Sequence, residues 1–198
     1  MTCIVGFVDK ANDCVWMGAD SLGSNGWTKA VNLAPKVFRN DVFKNVIMGS
    51  TTTFRHIDLL KYADNLFPEV DFYKGTKLDH KYMVKTFIPN VITLFQNNIW
   101  GASQEKGANF LLGANNQLFE IQNDYSVLVP ELGFCCVGCG KDAAMGSLIT
   151  TTKLYGDDMT PQDHFLYALR AATQYCCGVE GPYVLMNTKE DKVFTFKK

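Results

Sequence analysis

The feature that most limits what this chain can become is the change of hydrophobic period along it: a strand-like block, a helix-like block, the same two again, and a strand-like close. Residues 2–8 (TCIVGFV) and 14–20 (CVWMGAD) are apolar and rich in β-branched side chains, and the polar "DKAND" between them supplies turn formers, which predicts a hairpin. Residues 36–39 and 43–49 repeat the arrangement around "NDV". The period then becomes helical. Phe54, Ile57, Leu60 and Leu66 mark a helix from Thr52 to about Asn65, and Met83, Phe87, Val91 and Leu94 mark a second over 80–98, with Pro89 expected to kink it.

Strands are predicted again at 108–114, 117–122, 125–129 and 133–138, followed by helices at 141–155 and 161–177 and strands at 182–188 and 192–196. Thr160 is placed as N-cap of the last helix, with Pro161 at its first position and Asp163 in its first turn. Sheets that pack on each other and carry helices outside give a four-layer αββα sandwich of the α/β (α+β) class, with two mainly antiparallel sheets between helix layers. The same block order also permits a simpler α+β layer fold. At 198 residues and 47% hydrophobic, the chain has core enough for one domain over 1–198 without disulfides or metals.

Charge and cysteine usage remove several classes of function. Nineteen Lys and Arg against twenty Asp and Glu leave no positive excess to bind phosphates, so nucleic acid is not an expected partner. No apolar run reaches the ~18 residues of a membrane span, and the first residues lack a signal-peptide pattern. Seven cysteines, including two adjacent pairs, suit reduced thiols in a cytoplasmic protein better than a disulfide framework. Cys136-x-x-Cys139 with Cys176 and Cys177 offers zinc-type ligands, but adjacent thiols at a helix end are more simply core residues, so no metal or other cofactor is expected. His56, His80 and His164 are read as surface or helix-face residues rather than as partners of a catalytic thiol.

Thr2 opens the first strand directly behind Met1. A threonine hydroxyl needs a base to become a nucleophile, and once Met1 is removed the residue's own α-amine, with a pKa of about 7.7–8.0, can serve. Asp20 ends the second strand and Lys36 begins the third, so both can reach the sheet edge where Thr2 lies; turn chemistry for Asp20 and a surface charge for Lys36 are the alternatives. Gly49, in "IMGSTTT", can bring backbone close to a substrate and offer its N–H to an oxyanion, or can be a turn glycine. Gly138-Cys139-Gly140 enters a helix as a close-approach turn or as a compact connection.

Taken together, "MTCIVG", "GADSLGS", "PKVF", "IMGSTTT" and "CVGCGKDAAMGSL" resemble the proteasome β-type and HslV-like family of N-terminal-nucleophile hydrolases over nearly the whole chain. The sixteen-residue separation of Asp20 and Lys36 matches the family's pattern. The resemblance implies Thr2 as nucleophile and base, Asp20 and Lys36 as charge support, Gly49 as oxyanion donor, Ser24 as a contact to substrate backbone and Ile47 in the specificity pocket. It also implies a threonine-type endopeptidase acting on protein or peptide, a homo-oligomeric ring and an ATP-dependent unfoldase as partner; the alternative is a silent ring subunit. Cys139 stands where the family has Ser near the nucleophile, Gln174 and Cys177 where it has Asp and Ser, and Ser50 where it has a second Gly, so the support network of the site is altered.

Overall fold

A computed structural model describes residues 1–24, 27–31, 34–68, 70–71, 78–99, 107 and 109–197. Two five-stranded antiparallel sheets lie at its centre. The first has the order β10-β1-β2-β11-β12, from β1 (Cys3–Asp9), β2 (Cys14–Ala19), β10 (Phe134–Gly138), β11 (Tyr183–Asn187) and β12 (Phe194–Phe196). The second has the order β5-β6-β7-β8-β9, from β5 (Val37–Arg39), β6 (Val46–Ser50), β7 (Phe110–Ala114), β8 (Gln117–Ile121) and β9 (Val127–Leu128). Ile4, Val15, Met17, Val37, Ile47 and Leu111 fill the space between the sheets.

Helices α4 (Lys141–Tyr155) and α5 (Pro161–Tyr175) cover the outer face of the first sheet through Leu148, Phe165, Leu169 and Ala172. Helices α1 (Phe54–Tyr62), α2 (His80–Tyr82) and α3 (Ile88–Asn98) cover the second through Ile57, Leu60, Phe87, Val91 and Phe95. The arrangement is the four-layer αββα sandwich. No helix among the described residues is long and apolar enough to cross a membrane.

Local chemistry sets the boundaries. Thr160 caps α5 by accepting from the Asp163 N–H at 3.2 Å while its hydroxyl donates to the Asp163 carboxylate at 2.7 Å, a reciprocal cap. Helix α1 ends at Tyr62, three residues before the predicted limit, because the turn between β5 and β6 takes its last carbonyls: Asn40 Nδ2 donates to the oxygens of Leu60 and Ala63, and the Asp41 N–H to that of Lys61. The helix predicted over 80–98 is interrupted by a π-helical turn at Met83–Phe87, where the Ile88 N–H donates to the Met83 oxygen five residues back. Pro89 has no N–H to give Lys85 and its ring crowds that carbonyl, so the wide turn just before it absorbs the mismatch.

Two strands had no counterpart in the sequence reading. β3 (Leu22–Ser24) and β4 (Lys29–Val31) form a separate ribbon between β2 and β5, and all three residues of β4 are exposed. A strand wet on both faces shows no hydrophobic alternation. Residue 108, predicted as the start of a strand, lies outside the described residues.

Candidate active site

Antiparallel pairing carries four chain segments to one end of the sandwich. In the β1–β2 hairpin Ile4 pairs with Ala19, so Thr2 and Asp20 emerge together; Val37 pairs with Gly49, so Lys36 emerges beside Ser50 and the threonines after it. The sheets meet face to face, and the two hairpin ends close on each other.

Asp20 and Lys36 form an ion pair at 2.9 Å, with side chains 0% and 4% exposed. Burying two charges costs several kcal/mol each unless their bonding capacity is filled. Here it is filled: the Asp20 carboxylate accepts from Lys36 through both oxygens and from the backbone N–H groups of Cys3 at 2.9 Å, Leu22 at 3.1 Å and Glu180 at 3.4 Å. The carboxylate thereby fixes the start of β1, the ribbon strand β3 and the segment after α5 to a single charge. Lys36 spends its remaining reach on the Met1 carbonyl oxygen at 3.2 Å, and the Thr2 hydroxyl donates to that same oxygen.

Thr2 is buried, and its backbone is held from the other side. Its N–H donates to Cys139 Sγ at 3.2 Å; its carbonyl accepts from Cys139 Sγ at 3.4 Å and from the Gly140 N–H at 3.3 Å. Gly138 makes this approach possible. Its φ is +99°, and a Cβ added there would lie 2.2 Å from the Thr2 oxygen, so only glycine fits. Of the two sequence readings for this glycine, the close-approach turn is the one observed.

A pocket of about 150 Å³ opens beside Thr2, lined by Met1, Leu22, Gly23, Ser24, Lys36, Ser50, Thr51, Thr52, Thr53, Phe54 and Ile57. Ser24 lines this pocket; Gly49 and Ile47 do not, and the expectation for each of these two is corrected. The Thr51 N–H donates to the Asn109 oxygen and the Asn115 N–H to the Asn45 oxygen, so by strand alternation Gly49 also faces its partner Leu111 in a hydrogen-bonded pair, with its N–H inside the sheet. A Cβ at Gly49 would meet Ile4, Met17 and Val37 at 2.6–3.0 Å, so its open face belongs to the space between the sheets. Ile47, two residues away on the same face, is wholly buried there.

The wall of the pocket is the Thr51–Thr53 turn, which the sequence reading missed. Thr52 has φ +74°, rare for a β-branched residue, and the Thr53 N–H donates to the Thr51 oxygen at 3.0 Å, closing a γ-turn. The sheet uses the Thr51 N–H and the turn uses that of Thr53, leaving the Thr52 N–H engaged by neither. Such strain is characteristic of functional loops.

Helix α5 ends at Tyr175 rather than at 177, and the extended conformation of Cys176 brings its Sγ within 3.4 Å of Cys139 Sγ. Burial is the largest cause raising the Cys176 thiol pKa above its ordinary value, and its neighbours Cys139 and Cys177 add to it. No cluster of metal-ligating side chains is present among the described residues.

No protein-family sequence model and no curated protein sequence matches the chain. Solved structures do. The eukaryotic HslV from Trypanosoma brucei superposes with a TM-score of 0.64 at 17% identity, over 94% of this chain and 98% of the other. The BPH protein of Thiobacillus denitrificans, solved in complex with epoxomicin, superposes with a TM-score of 0.71 at 13% identity, over 94% and 97%; a further BPH structure gives 0.69 at 14% over the same shares. The chain shares the fold of these HslV and BPH proteins.

Proposed function

We propose that the chain is a threonine endopeptidase whose nucleophile is the Thr2 hydroxyl, released for work when Met1 is removed. The observation that carries this reading is the convergence of the Thr2 hydroxyl and the Lys36 ammonium on one carbonyl oxygen, with the buried Asp20 carboxylate behind the lysine. While Met1 is attached, the Thr2 nitrogen is a peptide amide with no useful basicity. Its removal turns that nitrogen into an amine beside its own hydroxyl.

In the mechanism, the α-amine takes the hydroxyl proton as Oγ1 attacks the substrate carbonyl, and the positive charge of Lys36 favours the alkoxide character that develops. The oxyanion takes its hydrogen bond from the Thr52 N–H, in place of the Gly49 donor the family resemblance implied. The leaving amine receives the proton, and the acyl ester on Thr2 is then hydrolysed by water activated by the same α-amine. Cys139 orients the amine through its sulfur, a weaker partner than a hydroxyl. Leu22, Phe54 and Ile57 make the apolar part of the pocket, which suits an apolar side chain of modest size before the scissile bond.

By analogy of fold, the enzyme works as a homo-oligomeric ring in the cytoplasm, acting on protein or peptide chains delivered by an ATP-dependent unfoldase. A second reading, a silent ring subunit, is favoured by one observation: Met1 is anchored, with its carbonyl holding two hydrogen bonds and its side chain against Gly178, where an added Cβ would lie 2.5 Å from that of Met1. Intact mass and peptide hydrolysis separate the two. The enzyme reading expects a chain beginning at Thr2 that cleaves an apolar fluorogenic peptide and loses that activity on Thr2→Ala with assembly intact; full retention of Met1, or turnover undiminished by Thr2→Ala, overturns it.

A further inference from the structure

We propose that Cys139 and Cys176 are a dithiol that closes to a disulfide under hydroperoxide, and that closure switches off the neighbouring threonine site. The pairing stands on geometry alone; the switching rests on the threonine-nucleophile reading above.

The two sulfurs are 3.4 Å apart and already in S–H···S contact, although 37 residues separate them in sequence. A disulfide needs about 2.0 Å, so closure requires the sulfurs to approach by little more than 1 Å. Cys139 is exposed and Cys176 is half-buried at the end of α5, where the chain has left the helix. Cys3, Cys14, Cys135 and Cys136 are buried within strands, away from an oxidant in solvent, and Cys177, though exposed, makes no comparable sulfur contact with Cys139 among the described residues.

The consequence follows from what Cys139 holds. Its sulfur accepts from the Thr2 N–H and its thiol donates to the Thr2 carbonyl. In the disulfide the thiol proton is gone and the sulfur is drawn toward Cys176. Thr2 therefore loses one donor and has its acceptor displaced by up to about 1 Å, a misplacement that costs on the order of 10²-fold in rate.

The chemistry balances with a hydroperoxide as the stated oxidant. The Cys139 thiolate attacks the peroxide, its S–O bond forms as the O–O bond breaks, and the released oxygen leaves as water or alcohol. The Cys176 thiolate then attacks the Cys139 sulfur; the S–S bond forms, the S–O bond breaks and hydroxide leaves as water. Two thiols have given up two electrons and two protons, and one peroxide bond has been reduced.

The test uses the full-length protein beginning at Thr2, treated with hydrogen peroxide, quenched by alkylation and mapped by mass spectrometry without reduction. The expected product is one cross-linked peptide pair joining Cys139 to Cys176, lighter by two hydrogens than its parts and reopened by a dithiol reductant. Peptide hydrolysis should fall on the order of 10²-fold on closure and return on reduction. Cys177→Ala should close the same bond, whereas Cys176→Ser should leave Cys139 trapped as a sulfenic acid. A cross-link to Cys177, no cross-link at all, or closure with undiminished hydrolysis overturns the proposal. Absence of hydrolysis in the fully reduced protein overturns the nucleophile reading and the switch together, and the mapped cross-link then decides the dithiol by itself.

Discussion

Replacing Asp20 with asparagine removes one charge from a pair whose members are 0% and 4% exposed and leaves the Lys36 ammonium buried with the Met1 oxygen at 3.2 Å as its other acceptor. At 2.9 Å and an effective dielectric constant of about 20, the lost attraction is about 6 kcal/mol. The asparagine oxygen still accepts from the lysine, so part returns. Its NH2 group, however, must face the N–H groups of Cys3, Leu22 or Glu180, donor against donor. The net cost is then about 3–5 kcal/mol, the range for breaking a buried pair. For a chain of this length that lowers the melting temperature by roughly 6–20 °C. Lys36→Met should cost less, because the carboxylate keeps its three backbone donors, and the double variant should be more stable than the sum of the singles implies. Thermal melts followed by circular dichroism on the wild type, both singles and the double complete the cycle. A melting point for Asp20→Asn within a degree or two of wild type, or Lys36→Met as the more damaging change, would show that the Asp20 carboxylate does not hold the buried pair together.

Gly138→Ala should destabilise by about 1–3 kcal/mol and displace Thr2, because the new Cβ meets the Thr2 carbonyl at a positive φ; Gly146→Ala, in open space on α4, should instead stabilise by about 0.5–1 kcal/mol. Chemical denaturation of the two variants reads the opposite signs. Burial raises the Cys14 thiol from 9.0 to about 11, so the folded state holds that proton longer than the unfolded state does; the stability it contributes is complete below pH 9 and is lost as pH rises toward 11. Alkylation of the native protein at pH 8 should accordingly mark Cys139 and Cys177 before Cys14, as read by peptide mass mapping.

The alternation of blocks was legible because each layer writes its period on the chain: one helix face at Ile57 and Leu60 and again at Phe87 and Val91, β-branched runs for the central strands. The caps of α5 were legible too, since Thr160, Pro161 and Asp163 act locally. Gly49 and Ile47 were misplaced for a definite reason. β6 is buried on both faces, so all five of its residues are apolar or small and nothing in their pattern tells which alternate set meets the other sheet. The contact of Cys139 with Cys176 depends on where α5 stops, and neither Cys176 nor Cys177 is a helix-breaking residue that would mark that stop in the sequence. The Thr51–Thr53 turn carries no glycine to announce its positive φ, so it reads as an ordinary helix entry.

The most direct measurement is covalent labelling of the protein that begins at Thr2 with an electrophile requiring both a hydroxyl and the adjacent amine, followed by mass-spectrometric location of the adduct. One adduct per chain is expected, on Thr2, abolished by Thr2→Ala and strongly slowed by Lys36→Met. A chain that begins at Thr2 and takes no label, or carries it on Cys139 instead, would contradict Thr2 as the nucleophile.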